Sequence, residues 1–256
     1  MKTRYINRKQ IEPIMLAVDH QIDFSVSTIT TGYLSRPLIL LTGGYPIDKF
    51  LKSDMIPDDL EVVRVPVTNR FGIGTLCLSK DVAYISIHIP PNTIKLNVLN
   101  RAAMASVIRT LGIQELDIEV RNNDLLFNLD NKRRKFLGTF GYEQKNGWLF
   151  YVLNVTFQAD YSLMNKIYRL DTEKMAKKSN VKDMRDVVIG IDEFRPSIDR
   201  NEFLDGVVSS LAQRLDWDIY EGYFTKEELR VIKKMSPILS LPDFVIEAKN
   251  YDSLIR

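Results

Sequence analysis

The sequence predicts an α+β fold, a mixed and largely antiparallel sheet flanked by helices, with a small helical lobe at its C-terminal end. Three observations carry that prediction. Residues 82–89 alternate strictly, with Val82, Tyr84, Ser86 and His88 on one side and Ala83, Ile85, Ile87 and Ile89 on the other, the period-2 pattern of a strand. Two hairpin signals follow in succession. One crosses residues 116–138 around a polar turn at 128–131, and one turns at Asn146-Gly147, a pair that accepts the positive φ of a tight turn. Amphipathic stripes flank them, Leu96, Leu99, Ala103, Val107 and Leu111 before, and Phe203, Val207, Leu211 and Leu215 after.

Bulk composition narrows the class. With 256 residues and 45% hydrophobic content the chain has apolar side chains enough for one large domain, expected over residues 1–191, and a smaller lobe with a tail over 192–256. A lone Cys77 excludes an internal disulfide and fits a reducing compartment, so a cytoplasmic location is expected. No apolar run approaches the ~20 residues of a membrane helix, and the basic N-terminus lacks the apolar core of a signal peptide. The formal net charge is +2, and the basic residues are scattered apart from Lys132-Arg-Arg-Lys135, which argues against nucleic acid as a partner.

In chain order, residues 11–24 have a loose helical spacing, with Pro13 suited to a first turn and His20 within it. Residues 37–41 form a short apolar run ended by Gly43-Gly44, read as a buried strand, with a short helix at 47–51. A strand at 60–65 stops at Pro66 and leads into an irregular stretch at 67–75. After the strand at 82–89, Thr93 is placed to cap a helix over 94–111 that Gly112 terminates. Asp160 and Asp171 each open a short helix beyond the second hairpin, and the polar residues 179–192 around Val187-Val-Ile189 read as a crossing or linker. Asp199 caps the helix at 200–215, residues 217–224 read as a strand, and Thr225-Lys-Glu-Glu228 opens a further helix with a capping box. The last twenty residues, with Pro237 and Pro242, read as an extended tail.

The candidate chemistry is bounded first by what is missing. There is no G-x-x-x-x-G-K-[ST] phosphate loop, and two histidines with one cysteine do not make a zinc site or a Cys-His dyad. His88 reads as a hydrogen-bonded structural residue and Cys77 as a buried structural thiol. What remains is the first hairpin. It sets Asn123-Asp124 on one arm and Lys135 on the other, close enough across a ladder to face one ligand. An ammonium there neutralises charge developing on a phosphate and its leaving oxygen. A carboxylate there takes Mg²⁺, which keeps most of its waters and needs one or two protein ligands. A solvent-exposed basic turn has the same residues, and composition does not choose between the two.

The order of the strings resembles the lipoate–protein ligases, within the biotin/lipoate protein ligase-like fold. Ala17-Val-Asp19 is similar to that family's A-x-D. Val62-Val-Arg64, Pro66, a glycine-containing loop and Asp81-Val-Ala-Tyr-Ile-Ser86 resemble the strand, loop and strand that enclose the acyl group. Arg121-Asn-Asn123-Asp124 resembles R-x-N-D, and Lys135-Phe-Leu-Gly138 resembles K-[IF]-x-G; the likeness extends over about residues 13–235. It implies an ATP- and Mg²⁺-dependent ligase. Such an enzyme activates lipoate, or a similar short acyl acid, as an acyl-adenylate and transfers it to a lysine of a lipoyl carrier domain, an E2-type or glycine-cleavage H-type protein. It further implies Lys135 as the catalytic residue and Asn123, Asp124 and Gly138 at the nucleotide, with Asp124 as metal ligand. Arg64, Arg70, Phe71, Gly72, Gly74 and Tyr151 would surround the acyl group. The chain departs from the family where two adjacent arginines and three glycines are usual, reading Arg64-Val65 and Asn69-Arg-Phe-Gly-Ile-Gly74, and where a strand histidine becomes Tyr151. These departures keep an alternative open, a non-catalytic relative of the same fold acting as a binding module. One subgroup of thioester-forming relatives places its cysteine nucleophile at a position leading into the hairpin, and no cysteine stands at that place, since Cys77 follows the glycine-containing loop.

Overall fold

The computed structural model describes residues 1–11, 15–16, 19, 22–34, 37–42, 51–65, 79–144, 146–170 and 181–239. Among them are ten strands, β1 (Lys2–Gln10), β2 (Thr28–Leu34), β3 (Ile39–Thr42), β4 (Val62–Val65), β5 (Ser79–Ile89), β6 (Ile118–Arg121), β7 (Asp124–Leu129), β8 (Lys132–Glu143), β9 (Leu149–Ala159) and β10 (Asp218–Glu221). Four helices accompany them, α1 (Leu96–Leu111), α2 (Tyr161–Ile167), α3 (Arg200–Leu215) and α4 (Lys226–Leu239). Eight strands form one sheet in the order β10-β1-β2-β5-β9-β8-β7-β6, and β3 and β4 form a separate parallel pair. In the large sheet β1 runs parallel to β10 and β2 while every other pairing is antiparallel, so the sheet is mixed and largely antiparallel, as predicted.

Each face of the sheet has its own cover. Ile29, Ile85, Ile87, Leu153, Val155 and Phe157 pack with Leu99, Val107, Phe203 and Leu211 of α1 and α3. On the other face Val82, Tyr84, Phe150 and Val152 pack with Phe24, Leu34 and Met235, the last from α4. The alternation read at residues 82–89 therefore separates two buried faces, not a buried and a wet one. His88 sits in the second cluster's side of the sheet, edge-on to Phe24 at 4.4 Å and 4.8 Å from the Phe150 ring.

Two strands escape the sequence reading, β1 and β2. Every residue of β2 is buried, including Thr28, Thr30 and Thr31, so no polar–apolar alternation marks it. Threonine suits the position because its branched Cβ favours extended backbone and its hydroxyl finds partners, as where Thr30 Oγ1 and Ser86 Oγ meet at 2.6 Å across the ladder. Helix ends follow their capping chemistry more closely. Asp160 accepts from Leu163 N–H, Asp199 accepts from Asn201 and Glu202 N–H, and Thr225 and Glu228 bond reciprocally. Gly112, at φ 60°, ends α1. Thr93 does not cap that helix: it begins at Leu96 after Lys95, and the Thr93 hydroxyl lies 3.5 Å from Pro91 O.

The C-terminal segment joins the main body. Phe203, Leu204, Val207 and Leu211 of α3 share one core cluster with Ile85 and Leu153, and β10 extends the sheet beside β1, so no separate core lies beyond residue 192 among the described residues. α4 continues through Pro237 to Leu239, where an extended tail was expected. A proline this close to a helix end removes one backbone bond without interrupting the turns that anchor it. The expected helices at 47–51 and from 171, Gly43-Gly44, His20, Cys77 and the loop at 66–78 lie wholly or mostly outside the described residues.

Candidate functional site

The segment expected to form one hairpin forms two. β6 turns into β7 at Asn122-Asn123 with Arg121 opposite Asp124, and β7 turns into β8 at Asp130-Asn131. Asn122, Asp130 and Asn131 have φ of 53°, 53° and 60°, left-handed backbone that asparagine and aspartate accept most readily among residues with a Cβ. These two-residue turns fix the register that sets Asp124 opposite Gly138.

The register then slips. Leu125 pairs with Leu137 but Leu126 pairs with Lys135, which leaves Phe136 as the extra residue of a β-bulge. Phe136 and Leu137 are consequently both buried, and Lys135 and Gly138, three apart, come to the same side. The bulge is held from outside the hairpin. The ladder between β8 and β9 ends at Leu137 and Val155, and residues 187–189 take the place beside β8 beyond it. Lys135 N–H donates to Val187 O at 2.8 Å and Ile189 N–H donates to Lys135 O at 3.0 Å. The stretch read as a linker is thus a clamp on the Lys135 backbone.

The Lys135 ammonium lies 2.7 Å from Asp124 Oδ1, with side chains 41% and 39% exposed. Glycine leaves it room. A Cβ on Gly138 would stand 2.8 Å from Lys135 Nζ and 3.0 Å from Cε, so the ammonium occupies the space a side chain would take. Asn123 is exposed at the adjoining turn, and its carbonyl accepts from Thr139 N–H at 2.7 Å. The structure therefore brings Asn123, Asp124, Lys135 and Gly138 together. The other basic residues of the turn divide. Lys132 and Arg133 are solvated and pair with Asp186 and Glu119, both at 2.6 Å. Arg134, expected with them, keeps only 13% of its side chain exposed.

Tyr151 is not part of this group. Asn154, directly opposite Gly138, shares its face, and Tyr151, three residues earlier on β9, points to the other one. There its hydroxyl donates to Asn100 Oδ1 of α1 at 2.6 Å, an oxygen that also accepts from Thr139 Oγ1 at 2.9 Å. Burial pushes the Tyr151 hydroxyl well above the usual phenol range, so it stays a proton donor. The residue ties the sheet to α1. Tyr151→Phe is expected to lower stability by about 1 kcal/mol in urea unfolding, with no change in ligand binding at Lys135.

Of the remaining expected positions, Arg64 lies on β4 with its backbone paired to Leu41. Arg70, Phe71, Gly72 and Gly74 lie outside the described residues. Asp19, from the A-x-D string, is fully buried and pairs with Arg8 Nη2 at 2.5 Å, while Ser86 Oγ donates to its other oxygen at 3.2 Å. Burial pushes its carboxyl up, and Arg8, Ser86 and Thr30 pull it down. Asp19 thus anchors Arg8 of β1. Sequence reasoning missed the clamp at 187–189, Asn100 and Asn154. Only Asn154 left a signal, as an amide between Leu153 and Val155 in the apolar part of β9.

Among the described residues no group of three or more His, Cys, Asp or Glu side chains forms a metal cage, and no helix is long and apolar enough to cross a membrane. Mg²⁺ needs no such cage, since one or two carboxylates with water suffice. Asp124 is half-exposed and meets that requirement in kind.

The sequence matches no protein-family model and no curated protein. The fold does have solved counterparts. The chain is similar to a bi-partite lipoate protein ligase from Thermoplasma acidophilum, studied with its E2 lipoyl domain, with a TM-score of 0.74, 14% identity, and 96% of this chain and 98% of that one covered. It is similar to a putative lipoate protein ligase from T. acidophilum with bound lipoic acid, at TM-score 0.67 and 11% identity over 93% and 95% of the two chains. A lipoate-protein ligase A bound with ATP gives TM-score 0.67 and 12% identity over the same shares. The chain has the lipoate–protein ligase fold.

Proposed function

We propose that this chain is a lipoate–protein ligase-like enzyme that activates lipoate, or a similar short acyl acid, with ATP and passes the acyl group to a lysine of a carrier domain. The observation that carries the reading is the Lys135 ammonium lying over Gly138 and against Asp124 on a bulge braced at both its N–H and its carbonyl. A lysine so fixed presents a point charge at one place, which is what stabilises charge that develops during reaction. In the first step a carboxylate oxygen attacks the α-phosphorus of ATP and pyrophosphate leaves. The Lys135 ammonium, beside both reacting groups, balances the charge that accumulates on the phosphoryl oxygens. Asp124, 2.7 Å away, holds that ammonium in place. In the second step the carrier's lysine amine attacks the acyl carbon and AMP departs with the bonding electrons, again beside the ammonium.

Mg²⁺, when bound, screens the phosphates, and Asp124 with Asn123 beside it would supply the protein ligands. Arg64, Arg70, Phe71, Gly72 and Gly74 are assigned to the acyl end on the family resemblance. An E2 lipoyl domain is the carrier to test first, as the acceptor found with a protein of the same fold. Incubation with ATP, Mg²⁺, lipoate and such a domain should add one lipoyl group to one carrier lysine by mass spectrometry.

Gly138→Ala tests the cradle. The added Cβ displaces the end of a flexible lysine and not backbone, so stability should hardly change while the rate falls about 10²-fold through misplacement of the charge. An unchanged rate would mean that the lysine's position is not used. A second reading, a non-catalytic binding module, is favoured by Asn69-Arg70-Phe71 where the family has glycines. It predicts carrier binding without acyl transfer, indifferent to Lys135→Ala.

A further inference from the structure

The end of α3 turns directly into β10. Trp217 N–H donates to Ala212 O at 2.9 Å, and the strand then runs back along the helix in the place beside β1. Trp217, Ile219 and Glu221 are two apart and share the face that carries Tyr5, which lies directly opposite Glu221. Between that face and α3 is an open cleft of about 380 Å³. Its two ends differ. Ala212, Trp217 and Ile219 make one end apolar, and the last two are only partly buried. Asp205 and Glu221, both exposed, make the other end acidic. Tyr5 organises that end. Its one proton goes to Asp205 Oδ1 at 2.8 Å, so Thr31 Oγ1, 3.0 Å away, is a donor to it. Burial raises the phenol well above its usual range, so it stays a donor, and Asp205 is held with its second oxygen left for another partner. Among the described residues no basic side chain lines the cleft, and neither carboxylate is in an ion pair.

We infer that this cleft binds a small organic amine, with its ammonium between Asp205 and Glu221 and its apolar body against Trp217, Ile219 and Ala212. The chemistry of the two ends selects the ligand. Two carboxylates with no cation of their own call for one, and an indole face accepts either an apolar group or the edge of a cation. An anion is excluded by the same two carboxylates. Length selects further. Residues 217 to 221 of an extended strand span about 13 Å and residues 205 to 212 of a helix about 10 Å, so the cation and the apolar group lie less than about 10 Å apart. The cleft is separate from the Lys135 site. Five strand pairings lie between β10 and β8, about 24 Å, and α3 covers the sheet face opposite the one that carries Gly138 and Asn154. The inference therefore stands independently of the adenylate reading.

The test is titration calorimetry of 4-phenylbutylamine and its uncharged counterpart 4-phenylbutanol against the full chain near neutral pH. Wild type is compared with Asp205→Asn, which keeps an oxygen for Tyr5, and with Glu221→Gln, an exposed position that serves should the first variant not fold. Thermal unfolding is run on each. Wild type is expected to bind the amine roughly tenfold more tightly than the alcohol. Each variant is expected to lose about three- to fivefold in affinity for the amine and none for the alcohol. Saturating ATP with Mg²⁺ should leave the amine's affinity unchanged. The assignment is overturned by an amine that shows no saturable binding, by equal affinity for amine and alcohol, by folded variants that both keep wild-type affinity, or by displacement of the amine with ATP. None of these results bears on Lys135.

Discussion

Lys135→Ala is expected to reduce lipoate-dependent adenylate formation about 10²–10³-fold, the usual cost of removing one preorganised group that meets developing charge. The loss should appear in kcat more than in KM, since the ammonium acts on charge that grows during the reaction. Folding should be spared. The ion pair with Asp124 is roughly two-fifths exposed on each side, so solvent screens it and it contributes about 0–1 kcal/mol at most. The clamp on this residue is made through backbone atoms, which alanine retains. A kcat within twofold of wild type in a folded Lys135→Ala protein would contradict the role assigned to the ammonium. Rescue by arginine is not expected, because a planar guanidinium spreads its charge over a fork and does not reproduce the lysine's point charge.

The largest effect on stability should come from Glu228→Ala. Arg4 of β1 and Glu228 of α4 form a buried ion pair at 2.6 Å with side chains 6% and 5% exposed. Glu228 also accepts from Thr225 N–H at 2.7 Å, closing the capping box that begins α4. Arg4 is further held by Thr28 Oγ1 and Tyr223 O, and its stem packs so closely on Gly222 that a Cβ there would stand 2.6 Å from Arg4 Cγ. Alanine at 228 strands that charge and uncaps the helix, and a loss of about 3–5 kcal/mol is expected in urea unfolding. The double variant Arg4→Leu with Glu228→Leu removes both charges together and should lose far less than Glu228→Ala alone. A single-variant loss below 1 kcal/mol would show that the pair does not hold α4 to the sheet.

The parts legible in the sequence were those decided locally. The alternation of β5, the Asn146-Gly147 turn, the Asp160 and Asp199 caps and the Thr225–Glu228 box each depend on residues within eight positions of one another. β1 and β2 were not legible, because Thr28, Thr30 and Thr31 are polar by composition and buried by partnership with residues far along the chain. The bulge at Phe136 was likewise hidden. It depends on residues 187–189, some fifty positions away, which fill the place β9 leaves vacant. Which face of the sheet Tyr151 takes was hidden in the same way. Glu143 opposite Leu149 sets which residues of β9 face Gly138, and a shift of one position exchanges the faces. The four residues that do assemble, Asn123, Asp124, Lys135 and Gly138, were found because two tight turns kept them close in sequence as well as in space.

Lipoate-dependent exchange of labelled pyrophosphate into ATP measures acyl-adenylate formation at the Lys135 site with no carrier required. Exchange is expected to need lipoate and Mg²⁺ and to fall with Lys135→Ala. The absence of exchange with lipoate, octanoate and biotin alike, in a protein shown to be folded, would contradict it.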